Sequence, residues 1–155
     1  PLQMSNVTAI IANRGYYITP HLIKAIGDDG EPMEEYREKN YTTVDPEHVD
    51  IAVEAMAAVV ERGTGSYRAK LKDIVVCGKT GTVDNEDRGE EDHSVFISFA
   101  PKDDPKIALA VYVENAGQGA RAAAGISGLM IEKYLKGCTD RTYMEDYILE
   151  GDFIY

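Results

Sequence analysis

Residues 78–82 form the most chemically distinctive run of the chain, Gly-Lys-Thr-Gly-Thr, at the end of an apolar segment that predicts a strand from Ile74 to Thr82. The lysine offers a fixed positive charge, and the threonine hydroxyls can donate hydrogen bonds to the same anion. The second glycine lets an extended ligand approach the strand backbone closely. Such a run suits two chemistries: a phosphate-binding loop ending in Gly78-Lys79-Thr80, or one wall of an acyl-transfer site made by Lys79-Thr80-Gly81.

The residues upstream exclude the phosphate-binding loop. A Walker loop needs a glycine five positions before its Gly-Lys-Thr, so that backbone amides can curl around the phosphates. Asp73 occupies that position, and the residues that follow it are stiff, β-branched strand material. No helical pattern follows Thr82 directly, whereas a Walker loop leads into a helix.

A second glycine-rich run, Gly117-x-Gly119-x-x-Ala122, follows a strand pattern and precedes a helix pattern, as a dinucleotide-binding fingerprint does. That fold also needs a parallel strand after the helix with an acid for the ribose, and only an acidic aromatic tail follows here. A plain strand-to-helix turn explains the run better. Binding of NAD or ATP stays as a competing hypothesis, which a calorimetric titration would test.

The potential metal ligands do not form a metal-site pattern. In the acidic loop after the first long strand, the calcium-loop spacing from Gly89 leads to Val95 where a bidentate glutamate should stand. The histidines are far apart in sequence, at His21, His48 and His93. We therefore predict no metal and no cofactor, and we interpret the acidic loop as solvated.

The two cysteines, Cys77 and Cys138, suit neither a zinc site nor a disulfide framework, so we interpret both as free thiols. Cys77 lies two residues before Lys79, and strand alternation places both side chains on one face. A thiol beside the ligand wall is one prediction for Cys77. A small apolar strand residue is the favoured one.

The composition is that of an ordinary globular chain of 155 residues, 44% hydrophobic and 28% charged, long enough for one domain. The formal net charge of -11 argues against nucleic acid or an anionic membrane as the main partner, because counterion release needs stripes of lysine and arginine. The longest apolar runs fall far short of the ~20 residues that span a bilayer. No signal-peptide pattern begins the chain.

Three segments have the residue spacing of helices. The first begins with the chain and ends at Gly15, with an apolar stripe of Met4, Val7, Ile10 and Ile11. The second begins at Asp45-Pro46-Glu47 and ends at Arg62-Gly63, with one face made of Val49, Val53, Met56 and Val60. The third covers Ala122 to Lys136 and ends at Gly137, with a stripe of Ile126, Met130 and Tyr134.

The strand patterns complete the predicted architecture. The runs SVFISFA and IALAVYVEN are joined by the short PKDDPK, which requires an antiparallel pair. In the second run one face is formed by Ile107, Leu109, Val111 and Val113. Nearer the start, YYITPHLIKAI predicts one or two short edge strands. The order of elements predicts an α+β fold in which helices flank an antiparallel sheet, and residues 138–155 receive no assignment.

Four stretches, taken in order, resemble the C-terminal part of the transpeptidase domain of class B penicillin-binding proteins: PLQMSNVTAIIANRGYYITPHLIK, GKTGT, DHSVFISFAPKDDPKIALAVYVENAGQG and the closing alanine-rich helix. The likeness is greatest to the penicillin-binding protein 2 branch, the elongation-type enzymes. It covers residues 1–137 and leaves residues 138–155 as an unassigned acidic aromatic tail. The resemblance implies a partial penicillin-binding transpeptidase fold of the serine β-lactamase-like type.

The resemblance also implies a function, which is to cross-link peptidoglycan stem peptides through an acyl-serine intermediate and to be acylated by β-lactams. Lys79 would supply the positive field, and the hydroxyls of Thr80 and Thr82 would hold the carboxylate of the substrate or β-lactam. The Thr82 backbone N–H would join the oxyanion hole, and Gly81 would keep the strand open. The parent protein would act in the bacterial cell envelope, on the periplasmic side of the inner membrane, beside a membrane-embedded glycan polymerase.

One departure from the family pattern is serious. The family uses Ser-x-x-Lys as nucleophile and base and Ser-x-Asn for proton transfer. Neither motif follows any serine of this chain, namely Ser5, Ser66, Ser94, Ser98 and Ser127. We therefore expect a C-terminal fragment that carries only the Lys-Thr-Gly wall, is inactive alone, and finds its nucleophile, base and membrane anchor in the remainder of its parent. The first helix, which lacks a capping residue ahead of it, fits that expectation.

Two further expectations follow from a fragment. Loss of the serine-bearing half would leave apolar surface exposed, and exposed patches of that kind favour self-association. The alternative function is a non-catalytic binding or interaction module with the same fold. Lys79 and Thr82 argue against that alternative, because a module with no carboxylate to hold needs no such wall, and a parent that lacks Ser-x-x-Lys would support it.

Overall fold

The predicted helices and strands follow one another in the predicted order, and two further α-helices, which the sequence did not predict, occur among the described residues. The computed structural model describes residues 1–23, 25–27, 30, 33–85 and 90–151. The helices in these ranges are α1 (Leu2–Ala12), α2 (Pro46–Arg62), α3 (Ser66–Ala69), α4 (Ala123–Lys136) and α5 (Thr142–Glu150). The strands are β1 (Tyr16–Tyr17), β2 (Asn40–Tyr41), β3 (Cys77–Val83), β4 (His93–Ala100) and β5 (Ile107–Val113).

The three long strands form an antiparallel sheet in chain order, β3-β4-β5, which confirms the predicted hairpin of β4 and β5. In its register Thr80 of β3 lies opposite Phe96 of β4, and Phe96 lies opposite Val111 of β5. Strand β3 begins at Cys77, three residues later than the predicted start at Ile74. The short strands β1 and β2 pair separately as a two-residue ladder.

Helices α1 and α2 cover one face of the sheet. Their cluster with the strands contains Ala12, Val53, Met56, Ala57, Cys77 and Phe99. The predicted inner face of α2 is confirmed, since all four of its members are buried: Val49, Val53, Met56 and Val60. Pro46 occupies the first helical turn behind Asp45, where its missing N–H costs nothing.

The prediction for α1 is partly wrong. Met4 and Val7 of the predicted stripe are exposed, whereas Thr8 and Ala12 are the buried positions of this helix. Thr8 can be buried because its hydroxyl donates to the Met4 carbonyl oxygen at 2.7 Å. The exposed apolar side chains of α1, which are Leu2, Met4 and Val7, therefore lie off the face that packs against the sheet, while Ile11 packs against the cluster.

Helix α4 covers the other face of the sheet, and its predicted stripe of Ile126, Met130 and Tyr134 is wrong. Met130 and Tyr134 are 47% and 63% exposed. The buried face consists mainly of small residues, together with two larger ones: Ala123, Ala124, Gly125, Ser127, Gly128, Ile131 and Glu132. Close packing against α3 explains the small residue at Gly128, because a Cβ there would lie 2.8 Å from the Arg68 carbonyl oxygen.

The tail that the sequence left unassigned contains α5. Met144 of this helix is buried, and Arg141 just before it bonds the buried Glu132 of α4 at 3.0 Å. A second guanidinium nitrogen of Arg141 donates to the Arg68 carbonyl oxygen at 2.8 Å. Within the described ranges, every helix is too short or too polar to span a bilayer.

Candidate active site

The four predicted site residues lie together on β3, at an edge of the sheet. Among the described residues β3 pairs only with β4, so its other edge has no strand partner there. Lys79 and Thr82 are exposed, while Thr80 and Gly81 are partly exposed. The Lys79 ammonium donates to the Thr80 carbonyl oxygen at 2.6 Å. An open strand edge carries unpaired backbone groups that can bond an extended ligand.

Strand alternation sorts these side chains between the two faces of the sheet. Thr80 and Thr82 share one face with Gly78, and Lys79 and Gly81 share the other. Both hydroxyls contact loops from elsewhere in the chain. The Thr64 hydroxyl oxygen lies 3.1 Å from that of Thr80, and the Gly119 N–H donates to the Thr82 hydroxyl oxygen at 3.1 Å.

The glycine-rich run that resembled a dinucleotide fingerprint is a turn packed against β3. A Cβ at Gly119 would lie 1.8 Å from the Gly81 carbonyl oxygen, so only glycine fits there. The Ser94 hydroxyl donates to the Gly119 carbonyl oxygen at 3.0 Å and accepts the Ala123 N–H at 3.1 Å. No strand follows α4 within residues 137–151, and a dinucleotide fold would need one.

The two glycines of β3 have different surroundings. A Cβ at Gly78 would lie 2.4 Å from the ring of Phe96, which is fully buried. At Gly81 the nearest atoms to a Cβ would be those of Val95, at ordinary distances of 3.5 Å or more. Packing against Phe96 therefore requires glycine at position 78. It does not explain why position 81 is also a glycine.

Cys77 lies on the same strand face as Lys79, but the two side chains have different environments. Cys77 is fully buried in the cluster beneath α1 and α2, and Lys79 is exposed. Burial raises the pKa of the Cys77 thiol from its ordinary value of 9.0 to about 11. Of the two interpretations from sequence, the structure supports the small apolar core residue.

The acidic loop between β3 and β4 is closed by amide side chains. The Asn85 amide donates to the Asn115 side-chain oxygen at 3.0 Å, and the Asn115 amide donates to Glu90 at 3.1 Å. Gly89, on which the calcium spacing depended, lies outside the described residues. In the part of the chain that is described, no group of three or more His, Cys, Asp or Glu side chains could hold a metal ion.

The serines with described side chains are all engaged in structural contacts. Ser94, Ser98 and Ser127 are fully buried, and the hydroxyls of Ser98 and Ser127 bond each other. Ser5 donates to the Leu2 carbonyl oxygen at 2.8 Å. These serines hold backbone segments and helices in place. The polar groups of β3 that a ligand can reach are the Lys79 ammonium and the hydroxyls of Thr80 and Thr82.

An extended ligand with a carboxylate suits this arrangement. The threonine hydroxyls can donate to one carboxylate from the same strand face, the ammonium adds positive charge, and the open edge can bond the ligand backbone. The sequence predicted Lys79, Thr80, Gly81 and Thr82, but it gave no reason to single out Thr64 or Ser94. Their contacts join residues that are 16 and 25 or more positions apart in sequence.

Residues 1–131 match the penicillin binding protein transpeptidase domain, and the chain belongs to this family. Within the family it is a class B protein of the penicillin-binding protein 2 type. It is 33% identical over 154 residues to the peptidoglycan D,D-transpeptidase MrdA of Haemophilus influenzae, covering 87% of this chain and 23% of that protein. For MrdA of Acinetobacter baumannii the identity is 36% over 147 residues, covering 79% of this chain and 20% of that protein.

Solved structures confirm the predicted α+β transpeptidase fold. Penicillin-binding protein 2 of Pseudomonas aeruginosa, in complex with WCK 5153, superimposes with a TM-score of 0.76 at 33% identity, covering 92% of this chain and 31% of that chain. The imipenem acyl-enzyme of penicillin-binding protein A from Mycobacterium tuberculosis gives 0.71 at 29% identity, covering 87% and 30%. The chain spans 20% to 23% of the length of the two MrdA relatives, so it holds part of the transpeptidase domain.

Proposed function

We propose that this chain is part of a serine-type peptidoglycan D,D-transpeptidase, which cross-links cell-wall stem peptides and is acylated by β-lactams. The observation that carries the proposal is the Lys79-Thr80-Gly81-Thr82 run on β3, an edge strand of the described sheet, with both hydroxyls on one face. The names of the relatives support it, since they are peptidoglycan D,D-transpeptidases. The M. tuberculosis relative, which forms an acyl-enzyme with imipenem, supports the β-lactam part.

In the proposed reaction, a serine oxygen attacks the carbonyl carbon of the penultimate D-Ala, and the terminal D-Ala leaves as the protonated amine. An amine of a neighbouring stem peptide then attacks the resulting ester and releases the serine. A β-lactam enters the first step only, because its opened ring stays attached. The nucleophile and its base belong to the remainder of the transpeptidase domain, so the chain alone is inactive.

Each residue of the run has a role in this proposal. Thr80 and Thr82 donate their hydroxyl protons to the substrate carboxylate, and Lys79 provides the positive field around it. The Thr82 backbone N–H stabilises the oxyanion, and loss of one such donor typically costs about 3 kcal/mol of transition-state stabilisation. Gly81 leaves the strand surface bare for the ligand backbone.

The same proposal extends to the whole protein. Residues 1–137 form the C-terminal portion of its transpeptidase domain, and residues 138–155, which include α5, are an appended segment. The protein acts on the periplasmic side of the inner membrane, next to a membrane-embedded glycan polymerase. When the chain is separated from the rest of its domain, exposed apolar side chains such as Leu2, Met4 and Val7 favour self-association.

Covalent labelling tests the proposal. The full-length protein, obtained from the coding DNA that flanks residues 1–155, is incubated with benzylpenicillin and analysed by mass spectrometry. We expect one adduct per molecule on a Ser-x-x-Lys peptide outside this chain, and none on the 155-residue chain alone. An unlabelled full-length protein, or an adduct within residues 1–155, would contradict the proposal, and a parent without Ser-x-x-Lys would indicate a non-catalytic module.

A further inference from the structure

The hydroxyl of Thr80 has a neighbour that the proposed mechanism does not use. The Thr64 hydroxyl oxygen lies 3.1 Å from it, which is hydrogen-bond distance for two hydroxyl groups. Thr64 is exposed and Thr80 is partly exposed, so the pair faces solvent at the surface of β3. Either hydroxyl can act as the donor.

The position of Thr64 is set by a tight turn between α2 and α3. A Cβ at Gly63 would lie 2.9 Å from the Val59 backbone, so this residue presses against the end of α2. The Gly65 N–H donates to the Val59 carbonyl oxygen at 3.1 Å and holds the turn closed. Thr64 is therefore carried by backbone that has little freedom to move.

One buried ring sets the distance between this turn and β3. A Cβ at Gly65 would lie 3.2 Å from Phe96, and a Cβ at Gly78 would lie 2.4 Å from the same ring. Phe96 is fully buried and lies opposite Thr80 in the strand register. Because both glycines rest on Phe96, the spacing between Thr64 and Thr80 follows from core packing.

When a carboxylate is bound to Thr80, the hydrogen bond between the Thr64 and Thr80 hydroxyls has a defined donor and acceptor. A threonine hydroxyl has one proton to donate and two acceptor lone pairs. A carboxylate accepts the Thr80 proton, which leaves the Thr80 oxygen to accept the proton of Thr64. Consecutive hydrogen bonds polarise one another and strengthen the bond to the charged group.

We propose that Thr64 is a positioning residue, whose hydroxyl donates to Thr80 and thereby aims the Thr80 proton at the carboxylate of the substrate or β-lactam. This inference rests on the proposed function and adds a residue outside the Lys-Thr-Gly run to it. A purely structural role predicts a different behaviour, because an exposed hydroxyl pair contributes little to folding.

Acylation kinetics of the full-length protein test the proposal. We expect Thr64→Val to lower the second-order rate constant for benzylpenicillin roughly fivefold, the effect of losing one ordinary hydrogen bond. Thr64→Ser keeps the hydroxyl and should restore the wild-type rate. Thr43→Val, at an exposed threonine away from β3, is the matched control and should leave the rate unchanged.

The methyl ester of benzylpenicillin distinguishes a role of Thr64 in binding the carboxylate from a general loss of reactivity in the variant. The ester lacks the carboxylate charge, so it should react slowly with the wild-type protein, and Thr64→Val should slow it no further. Equal slowing of acid and ester, or a variant that reacts with the acid at the wild-type rate, would overturn the role of Thr64. A wild-type protein that is not acylated at all would instead overturn the proposed function, and the inference would fall with it.

Discussion

Gly78 and Gly81 lie three residues apart on β3, but glycine occupies these two positions for different reasons. The Phe96 ring fills the space beside Gly78, while the nearest neighbour of a Cβ at Gly81 would be Val95 at an ordinary contact distance. Neither glycine has a backbone conformation reserved for glycine, so substitution by alanine tests space alone. The comparison separates a packing requirement from a requirement for ligand access.

The two substitutions should therefore change different properties of the protein. We expect Gly78→Ala to lower the free energy of unfolding by about 2 kcal/mol, because the buried ring must move to admit a methyl group. Gly81→Ala should change it by less than about 0.5 kcal/mol. The same Gly81→Ala variant should acylate with benzylpenicillin roughly tenfold more slowly, because the methyl group obstructs an extended ligand.

Urea unfolding and acylation rates of the full-length protein check both expectations, and each variant is the control for the other. If Gly81→Ala reacted at the wild-type rate, the strand would not need to be bare for the ligand. If it unfolded as easily as Gly78→Ala, the glycine would be explained by packing.

At the residue scale, sequence reasoning found the groups that are adjacent in the chain and missed those brought together by packing. Lys79, Thr80 and Thr82 are recognisable because three polar residues interrupt an apolar strand. The contact between Thr64 and Thr80 depends on where the Phe96 ring lies, and no local pattern encodes that position.

At the scale of elements, α5 is attached to the rest of the fold by a buried ion pair. The side chains of Glu132 and Arg141 are 4% and 12% exposed and lie 3.0 Å apart. Lys136 is a more distant second partner of Glu132, at 3.6 Å. A buried carboxylate that loses its closest cation is costly, because its charge stays out of water.

Removal of the cation should therefore destabilise the fold. We expect Arg141→Met to lower the free energy of unfolding by about 3 kcal/mol. The double variant Glu132→Gln with Arg141→Met should recover much of that loss, because the buried charge is then absent.

Chemical unfolding monitored by circular dichroism provides the measurement. Lys106→Met is the control, since it breaks the exposed pair of Lys106 and Asp104 and should cost less than about 1 kcal/mol. A loss for Arg141→Met no larger than that of the control would contradict the account of how α5 is attached.

The elements themselves were largely predictable, and the faces they bury were less so. The short link between β4 and β5 required a hairpin, and capping residues marked α2 correctly. For α4 the stripe of large apolar residues did not predict the buried face, because the close approach of α3 to Gly128 and of α5 to Gly125 leaves little room there for larger side chains. Helix α4 therefore buries its small residues in the close contact and leaves Met130 and Tyr134 exposed.

At the scale of the whole molecule, the sheet carries helices on both faces, and β3 is an edge strand of the sheet that the described residues form. The ordered set of motifs identified the family, and residues 1–131 match its transpeptidase domain. The side chains of α1 that point away from the sheet stay apolar and exposed. We propose that the remainder of the domain packs there and brings the nucleophile opposite β3.

A crystal structure of the full-length protein acylated by benzylpenicillin would show most directly whether β3 binds the carboxylate. We expect the β-lactam carboxylate to lie within about 2.6–3.2 Å of both the Thr80 and Thr82 hydroxyl oxygens, and the acyl carbonyl oxygen to lie at the Thr82 N–H. An acyl-enzyme whose carboxylate is bound elsewhere, with no contact to β3, would contradict this expectation.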